Sequence, residues 1–592
     1  MSVARVYRAG SPFNGSELSE VDFEQSANTM YLAHLNHVPT KLVRSAHTSW
    51  AFSDITFAPT ISAPASVAVT ATYVNTDAPN TGAADNPKLA RYVVTAIDDD
   101  TGQQSRVSSE VTATNTLELA RNYNTITWAA VTGAERYRVY KGTNAGGFGY
   151  IGTTTALTFK DDNIGPDYSV GPPQSFNPFP SAGNYPSTVS FFEQRLVWAR
   201  TTNNPNAVYA SRSGEYENMD ITRPLVASDS ISFKLVAGRV NAVNQIVSMD
   251  SLICVTSDGI FKITGGQDGY VSPLTFNSKR QNGRGGSRLG PLVIDAQAFY
   301  QTAVGNTVRA IGYEFQTDST QTNDVTIFSP HLFRGFNIVS WAYAQEPRSL
   351  IWAARSDGKL LCFTWEREQQ VWGWTICETD GLVETVAVIS ESGEDRLYLT
   401  VRRNGQLLIE RMAAARWGTI NDTCFLDSAV SYVFSTPQTV CNNLDHLNGK
   451  TVSALVDGNV VSGLVVAGGK VTLPDAATNV TVGLPFTALI ETLPLAQQGQ
   501  NGLTIGKPQQ ASKAVVRVID TRGLKAGPSS DKLEVLRTRV NELPGDPNAL
   551  YTGLKETFLL PKFTGGASVV LQSDDPLPMT VTGVFIDPAI SG

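Results

Sequence analysis

SLIWAARSDGKLLCFTWE, residues 349–366, consists of two apolar stretches joined by a turn that ends in Gly358. Apolar stretches of this length, rich in aromatic and branched residues and separated by Asp-Gly, are typical of paired strands. Asp-Gly supplies the positive φ angle that a tight hairpin needs. The stretch therefore predicts a β-hairpin with Gly358 at positive φ, where a β-branched replacement would be strained.

The same hairpin design returns twice in this part of the chain. SLICVTSDGIFKITGG (251–266) has its turn at Gly259, and RLYLTVRRNGQLLIERM (396–412) has its turn at Gly405. Repeated hairpins with aromatic strands are typical of propeller blades. Residues 176–420 are therefore predicted to form a propeller-like, multi-blade body.

The rest of the chain predicts a mainly β protein with little helix, because apolar residues alternate with period two and break at Gly, Asn, Asp or Pro. The best helix candidate is Val21–His37. The remaining predicted domains are an N-terminal segment contributing to the body (1–59), an inserted β-sandwich (60–175), a small β-barrel-like domain (421–495) and a C-terminal β segment returning to the body (496–592).

The predicted insertion is marked by its composition. It begins at a stretch rich in Ala, Thr, Pro and Asn and leaves through the Pro-rich residues 171–180. Trp128 and Tyr137 stand where fibronectin type III sandwiches keep core aromatics. Residues 60–175 resemble that superfamily, with the strand motifs in a shifted order, and are expected to be an autonomous module.

Composition narrows the functional classes. A chain of 592 residues is long enough for three or more domains. Its formal charge is −8, and no run of Lys and Arg stands out. Binding of nucleic-acid phosphates needs clustered cations, so a dedicated nucleic-acid binder is not expected.

The cysteines and the N-terminus predict where the chain folds. The five cysteines form no CxxC pair and are odd in number, which indicates reduced core residues in a protein folded in a cytoplasm. MSVARVYRAG (1–10) lacks the apolar region of a secretory signal, and no apolar run is long enough to span a bilayer. No membrane insertion is predicted.

The histidines do not predict a metal or catalytic site. His34 and His37 have HxxH spacing with His47 nearby, but the HExxH glutamate and any accompanying Cys are absent, which favours packing or capping. His446 lies where residues 425–495 faintly resemble a small β-domain of ubiquitin-activating enzymes. The chain has no GxGxxG fingerprint after a strand and no Cys with activating neighbours, so that resemblance is attributed to barrel shape.

Two further patterns have an enzymatic or sugar-binding interpretation that is not favoured. The acid pairs Asp98-Asp99-Asp100, Asp161-Asp162 and Asp574-Asp575 could serve glycoside hydrolysis, but they stand between strands, where solvated turns favour Asp. No GxSxG occurs. A tryptophan cluster could stack on sugars, but Trp352 and Trp365 fall inside apolar strands, which favours core packing. No catalytic residue, cofactor or metal ligand is predicted.

One basic loop remains as a possible contact site. SKRQNGRGGSRLG (278–290), here called the basic segment, sets four cations among glycines. It could touch DNA phosphates, pair with an acidic neighbouring subunit, or be a solvated loop without a specific partner. Its four cations, the candidate lumen or subunit-contact residues, are Lys279, Arg280, Arg284 and Arg288.

Four stretches of the chain resemble the tail nozzle family of short-tailed bacteriophages, also called tail tubular protein B or phage stabilisation protein. They cover about half the chain in the family's order. They are YPSTVSFFEQRLVWARTTNNPNAVYASRSGEYENM (185–219), DSISFKLVAGRVNAVNQIVSMDSLICVTSDGIFKITGG (229–266), HLFRGFNIVSWAYAQEPRSLIWAARSDGKLLCFTWEREQQVWGWT (331–375) with five of the nine tryptophans, and LDHLNGKTVSALVDGNV (444–460) with VGLPFTALIETLPL and DDPLPMTVTGVFID near the end.

The resemblance implies a non-enzymatic structural protein of the virion tail, synthesised in the host cytoplasm. In the family, six subunits form a homo-oligomeric ring under the head-to-tail adaptor, support tail fibres, spikes or a needle, and surround the path of the genome. DNA is expected to pass without specific binding. The insertion departs from the minimal family pattern. The alternative is a host receptor- or sugar-binding tail protein.

Overall fold

The chain is mainly β, as the sequence predicts. The computed structural model describes residues 7–73, 87–119, 122–143, 146–236, 240–267, 269–314, 319–494, 496, 498–499, 502–503, 507–537, 547, 549–559, 563 and 566–590. Helix in this described part is confined to four short segments: Leu18–Glu20, Pro330–Phe333, Ile420–Asp422 and Asp445–Leu447. None of them is long enough to cross a membrane.

The chain divides into two compact units, of which the first is Arg5–Arg334. Besides the sandwich described below, its described residues form four antiparallel sheets of four strands, here called meanders 1 to 4. Their strands are Asp22–Ser26, Thr29–His34, His37–Ala46 and Ser49–Asp54 in meander 1; Thr188–Phe192, Arg195–Ala199, Ala207–Ala210 and Ile231–Lys234 in meander 2; Val243–Ser248, Leu252–Thr256, Ile260–Gly265 and Phe276–Asn282 in meander 3; and Leu292–Ile294, Gln297–Gln301, Val308–Glu314 and Ser319–Asp324 in meander 4.

Meanders 1 to 4 pack in chain order through shared hydrophobic clusters. Tyr31 and Ala33 of meander 1 pack with Trp198 of meander 2. The other face of meander 2 packs on meander 3 through a cluster that includes Cys254, and a third cluster around Tyr300 joins meanders 3 and 4. Burial of each Val, Leu, Ile or Phe side chain in these clusters stabilises the fold by about 1.5–3 kcal/mol. Successive four-stranded meanders joined in this way confirm the propeller-like body.

The predicted helix Val21–His37 is wrong. Its residues form the strands Asp22–Ser26 and Thr29–His34, joined by a turn in which Ala27 has a φ of 50°. Tyr31 is buried against meander 2, and its neighbours along the strand point to the opposite face. Packing of this strand against meander 2 therefore decides the structure. The 3.6-residue spacing of apolar residues in the sequence does not correspond to a helix.

The predicted insertion contains a seven-stranded sandwich. One sheet has the order 149–154, 136–143, 88–97, 111–115, and the other has the order 158–161, 123–127, 68–72. Trp128 and Tyr137 lie in the core between the sheets, with ring centroids 5.4 Å apart. The fibronectin type III relationship and the boundaries at 60 and 175 remain predictions. The strands are Ala68–Thr72, Lys88–Ile97, Val111–Asn115, Tyr123–Thr127, Arg136–Thr143, Gly149–Thr154 and Thr158–Asp161.

Two contacts tie the sandwich and its exit to the segment between the third and fourth strands of meander 2. Arg106 donates hydrogen bonds from Nε and Nη2 to the buried carboxylate of Asp220, each at 2.8 Å, and Nη2 also reaches the carbonyl of Phe57. The exit strand Gly171–Gln174 pairs with Ile221–Arg223, just after Asp220. A bidentate, partly buried pair of this kind is stronger than an exposed one.

The second unit begins at Gly335 and opens with two further sheets. They share a hydrophobic cluster that includes Leu360 and Val383. Meander 5 has four strands, Ile338–Ala344, Leu350–Arg355, Leu360–Glu366 and Val371–Cys377, and meander 6 has three, Leu382–Glu391, Glu394–Arg403 and Gln406–Arg411.

Four more sheets follow among the described residues of the second unit. The small β-domain contains Asp427–Cys441, Thr451–Val456, Asn459–Val465 and Val471–Leu484 around its own core. The C-terminal part contains a four-stranded sheet (Ala488–Glu491, Lys525–Ser529, Lys532–Val535, Val570–Ser573), a three-stranded sheet (Gln509–Thr521, Tyr551–Phe558, Thr580–Ile590) and the pair Gln498–Gly499 and Gly502–Leu503.

Two of the three predicted hairpin glycines have positive φ. Gly358 has a φ of 81° and Gly405 a φ of 79°, the latter after Asn404 at 48°. The prediction is wrong for Gly259, whose φ is not in the left-handed region. A Cβ at Gly259 would lie 2.5 Å from the carbonyl oxygen of Asn282, so close backbone approach, and not turn geometry, requires glycine there.

Candidate functional site

The basic segment is not a loop over its first half. Lys279 and Arg280 lie in Phe276–Asn282, the outer strand of meander 3, and only the residues after Asn282 form a loop. Phe276–Asn282 is mostly exposed because it pairs on one side only, with Ile260–Gly265. The four cations therefore extend along an edge strand and its exit.

Two of the four cations are paired within the first unit. Arg280 Nη2 donates to the carbonyl and to the carboxylate of Asp258, at 2.7 and 3.1 Å. Arg288 Nη1 lies 3.1 Å from Glu20 Oε2. Lys279 and Arg284 have no carboxylate partner among the described residues. The local field available to a phosphate is thus that of two cations, not four.

The glycines of the basic segment serve packing. A Cβ at Gly285 would lie 2.2 Å from the carbonyl oxygen of Ser257, and one at Gly286 would lie 2.3 Å from Val255 Cγ1. The loop therefore lies directly on meander 3. Close packing against meander 3 therefore requires glycine at positions 285 and 286.

Arg195, which the tail nozzle resemblance includes, has a structural position. Its guanidinium is buried and donates hydrogen bonds of 2.6 Å to the carbonyl oxygens of Ser211, Asp229 and Ala227. Burial lowers the pKa of Arg195 to about 10. The groove beside it, about 410 Å³ in volume, is also lined by Tyr270. Arg195 closes the hairpin of meander 2 onto its neighbouring strands.

The three-stranded C-terminal sheet has an outward apolar face, which the sequence analysis did not single out. Leu554 and Phe558 lie on one edge strand and Phe585 on the other, and they are 57%, 73% and 58% exposed. Val515 on the central strand is paired with Phe585. Val515 is thus the cross-strand partner of Phe585 and a diagonal neighbour of Leu554 and Phe558, each within about 8 Å. These four residues are here called the C-terminal apolar face.

One ion pair crosses this face. Lys513 Nζ lies 2.8 Å from Glu556 Oε1, on the strands that carry Val515 and Phe558. The opposite face of the sheet packs inward through Ala514 and Val516. Arg517 of the central strand pairs with Leu554, and Glu556 lies between Leu554 and Phe558, so charged and apolar side chains alternate on this face. Mixed apolar and polar surface is typical of non-obligate protein–protein contacts.

The acid pairs have structural positions. Asp98 Oδ1 accepts hydrogen bonds from the backbone N–H groups of Asp100 and Thr101, which lower the pKa of Asp98, as expected for a turn. Asp574 is paired with Lys525 at 2.5 Å.

Asp161 is not a solvated turn residue, and that interpretation is wrong. It is fully buried in the sandwich and accepts hydrogen bonds from Tyr92 Oη at 2.5 Å and from the backbone of Ile164 at 2.8 Å, with Lys141 Nζ at 2.8 Å. Burial of Tyr92, together with the adjacent Asp161 carboxylate, raises the pKa of Tyr92. Asp161 is the centre of a polar network in the sandwich core.

The tryptophan cluster is mainly core. Trp341 and Trp365 are buried, whereas Trp372 on the outer strand of meander 5 is 45% exposed. The Trp372 and Trp365 rings lie 5.7 Å apart, and Trp374 stacks on Phe363 at 4.6 Å. Core packing therefore accounts for the inner rings, and Trp372 offers an accessible aromatic surface.

The histidines fall into separate environments. His446 Nε2 lies 3.1 Å from the carbonyl oxygen of Ser428, a packing contact. His47 contacts Arg44, on the surface. His34 and His37 lie together beside Glu17. The sequence spacing alone does not reveal this grouping, because the glutamate precedes the pair outside any motif.

The cysteines are free thiols. Cys254, Cys362 and Cys441 are buried, and Cys377 and Cys424 are partly buried. Burial raises the pKa of Cys254 to about 12, so this thiol is not poised as a nucleophile.

Comparisons with known proteins add little beyond fold class. No family model matches the chain, and no curated protein matches it. Among solved structures, the chain is similar to the periplasmic gluconolactonase PpgL of Pseudomonas aeruginosa (12% identity, 55% of this chain and 99% of that chain, TM-score 0.24). It is also similar to proteins described as 6-phosphogluconolactonases from Bacteroides uniformis (12%, 55% and 96%, 0.26) and Bacteroides fragilis (11%, 54% and 94%, 0.23).

Proposed function

We propose that this protein is a structural subunit of the tail of a short-tailed bacteriophage, forming a homo-oligomeric ring below the portal and adaptor. The ring serves as a conduit for the genome and as an attachment scaffold for fibres or spikes. The tail nozzle resemblance suggests six subunits. Support from the structure comes from the mainly β, multi-sheet body and, above all, from the C-terminal apolar face.

The C-terminal apolar face is the observation that carries the proposal. Three large side chains, Leu554, Phe558 and Phe585, are each more than half exposed on one sheet face. Their burial against a neighbouring subunit would release apolar surface from water at about 25 cal/mol per Å². A soluble subunit with this face gains stability by association, as a ring component does.

The first experiment measures assembly. The purified full chain is expected to form closed rings with a central hole by negative-stain electron microscopy, with a matching mass by light scattering. Phe558→Asp should shift this population to monomers, because a charge buried at the interface without a partner is unfavourable. Val304→Asp is the control: Val304 is 88% exposed and lies in the first unit, so rings should persist.

Two outcomes contradict the ring proposal. One is a wild-type chain that stays monomeric at every concentration at which it is soluble. The other is a ring that tolerates Phe558→Asp and Phe585→Asp together, which would remove the C-terminal apolar face from the argument.

The proposed role is non-enzymatic. The similar solved structures are described as lactonases, so the direct test is hydrolysis of glucono-δ-lactone by the purified chain. No rate above the uncatalysed one is expected. A saturable rate would overturn the non-enzymatic assignment.

A second candidate function is sugar or receptor binding, favoured by the exposed ring of Trp372. Aromatic rings that are accessible on one face stack on apolar surfaces of ligands. Binding to a glycan panel that is lost in Trp372→Ala, while unfolding stays unchanged, would favour this candidate. Rings without glycan binding favour the nozzle.

A further inference from the structure

Two histidines and a glutamate lie together at one end of meander 1. His34 ends its strand and His37 begins the next, and the two residues pair across the turn. Glu17 directly precedes the short helical segment Leu18–Glu20. The ligand atoms of the three side chains all lie within 4.8 Å of one another.

His34 carries the strongest sign of a missing partner. Its side chain is 1% exposed, and its Nε2 atom is buried without a hydrogen-bond partner. Its other ring nitrogen, Nδ1, accepts a hydrogen bond from the backbone N–H of Asn36 at 3.2 Å. Buried polar atoms in proteins almost always have a hydrogen-bond partner. A buried ring nitrogen without one, next to other side chains that can bind a metal, therefore indicates a bound ion or molecule.

The other two side chains are held in place but remain accessible. Glu17 Oε2 accepts a hydrogen bond from the backbone N–H of Asn14 at 2.9 Å and lies 3.1 Å from His37 Nε2. The side chains of Glu17 and His37 are 21% and 25% exposed. The ring of Phe13 packs against both histidine rings, at 6.1 and 5.0 Å between centroids. The group thus has an entry side and an apolar cover.

Nearby charges suit a cation. Glu20 Oε2 lies 3.9 Å from His34 Nε2 and is paired with Arg288, and its carboxylate is placed to supply a fourth ligand, the second from oxygen. Neutral imidazole and ionised carboxylate are the forms that bind metal.

We propose that Glu17, His34 and His37 bind one divalent first-row transition-metal ion, with zinc as the preferred ion. Two imidazoles and one carboxylate form a donor set that zinc uses, with a further position open to Glu20 or water. Ligand bonds of about 2.0–2.2 Å place donor atoms about 3.3 Å apart. The observed group closes to this size by rotation of its two accessible side chains.

Metal binding requires a proton to move from one nitrogen of the His34 ring to the other. Because Nδ1 of His34 accepts from Asn36, the neutral ring carries its proton on Nε2. Coordination at Nε2 moves that proton to Nδ1 and gives up the hydrogen bond from Asn36. In exchange the ion satisfies Nε2 and joins residues 13–20 to meander 1.

The test uses the full-length chain freed of metal with a chelator. Titration with Zn²⁺ by calorimetry should show one ion per chain. Titration with Co²⁺ should give visible absorption of a low-coordinate site without thiolate charge-transfer bands, which separates the proposed group from the five cysteines. His37→Ala should weaken Zn²⁺ affinity at least about tenfold, since even outer-shell changes cost about 10–100-fold.

His47→Ala is the matched control. His47 lies in the turn between the third and fourth strands of meander 1, contacts Arg44 and is not a member of the group Glu17, His34 and His37. Its Zn²⁺ affinity should equal that of the wild type. If His37→Ala fails to fold, Glu17→Gln, which keeps the side-chain size, decides by the same tenfold criterion. No saturable Zn²⁺ binding by the wild type, or equal affinity in the variant and the wild type, overturns the proposal.

Discussion

Replacement of Gly358 by alanine separates turn strain from steric conflict. Gly358 has a φ of 81°, and a Cβ there would lie 2.7 Å from Leu382 Cβ and 3.0 Å from Leu382 Cα. Gly405, in meander 6, has nearly the same φ of 79° with no atom within 4 Å of the added Cβ. Alanine at either position therefore has the same backbone strain, but only at Gly358 does the added Cβ also clash with Leu382.

The expected magnitudes follow from these two terms. An alanine held in the left-handed region costs about 1–2 kcal/mol of unfolding free energy. Carbon atoms pack at about 3.5–4.0 Å, so a contact of 2.7 Å to Leu382, whose own Cα is close, must move the strand. Overpacking costs about 1–3 kcal/mol more. Gly358→Ala should lose about 2–5 kcal/mol and Gly405→Ala about 1–2 kcal/mol.

Urea unfolding followed by tryptophan fluorescence measures both variants. Meanders 5 and 6 share one hydrophobic cluster, with Trp352 packed against it, so both substitutions are expected to shift the same transition. The midpoint should fall further for Gly358→Ala at an unchanged slope with urea. Gly102→Ala, at a φ of 71° and without a close contact, is a further control for the conformational term. Equal losses for Gly358→Ala and Gly405→Ala would refute the steric argument.

Three further predictions concern other parts of the chain. Asp161→Asn should destabilise the sandwich by about 3–5 kcal/mol, because Lys141 keeps its buried charge without a carboxylate, whereas exposed Asp162→Asn should be neutral in thermal unfolding. Burial raises the pKa of Asp22 to about 6 from its ordinary value of 3.8, so the folded state binds more protons; unfolding free energy should fall as pH rises between these values, and Asp22→Asn should lack that fall in urea titrations. Duplex DNA should bind the protein no more tightly than about 10⁻⁶ M at near-physiological salt, and nanomolar binding lost on neutralising the basic segment (278–290) would contradict this.

The sequence predicted the fold class because β-hairpins are encoded by short turn motifs between apolar stretches. Asn404-Gly405 is a two-residue turn with both φ angles positive, as Asn-Gly favours. Asp258-Gly259 has the same kind of motif but a different backbone, because the outer strand of meander 3 approaches Gly259 closely. Contacts between segments distant in sequence decide such cases, and a local motif does not contain them.

The candidate sites were less predictable for the same reason. The pairing of Arg280 with Asp258 depends on which strand lies beside which, and the burial of Asp161 depends on the closure of the sandwich. The group of Glu17, His34 and His37 depends on a strand turn and on a segment that precedes it. None of these juxtapositions has a fixed spacing that a motif could express.

Two ionisable groups with shifted pKa values, Arg195 and Asp22, are engaged in structural contacts. A catalytic group needs a perturbed pKa and also a free face toward a substrate. Arg195 donates its hydrogen bonds to three carbonyl oxygens. Asp22 accepts hydrogen bonds from Thr188 Oγ1 and from the Val189 N–H, and these bonds join meanders 1 and 2. These charges hold sheets together. Large apolar side chains such as Phe558 remain exposed, and the proposed ring assembly rests on them.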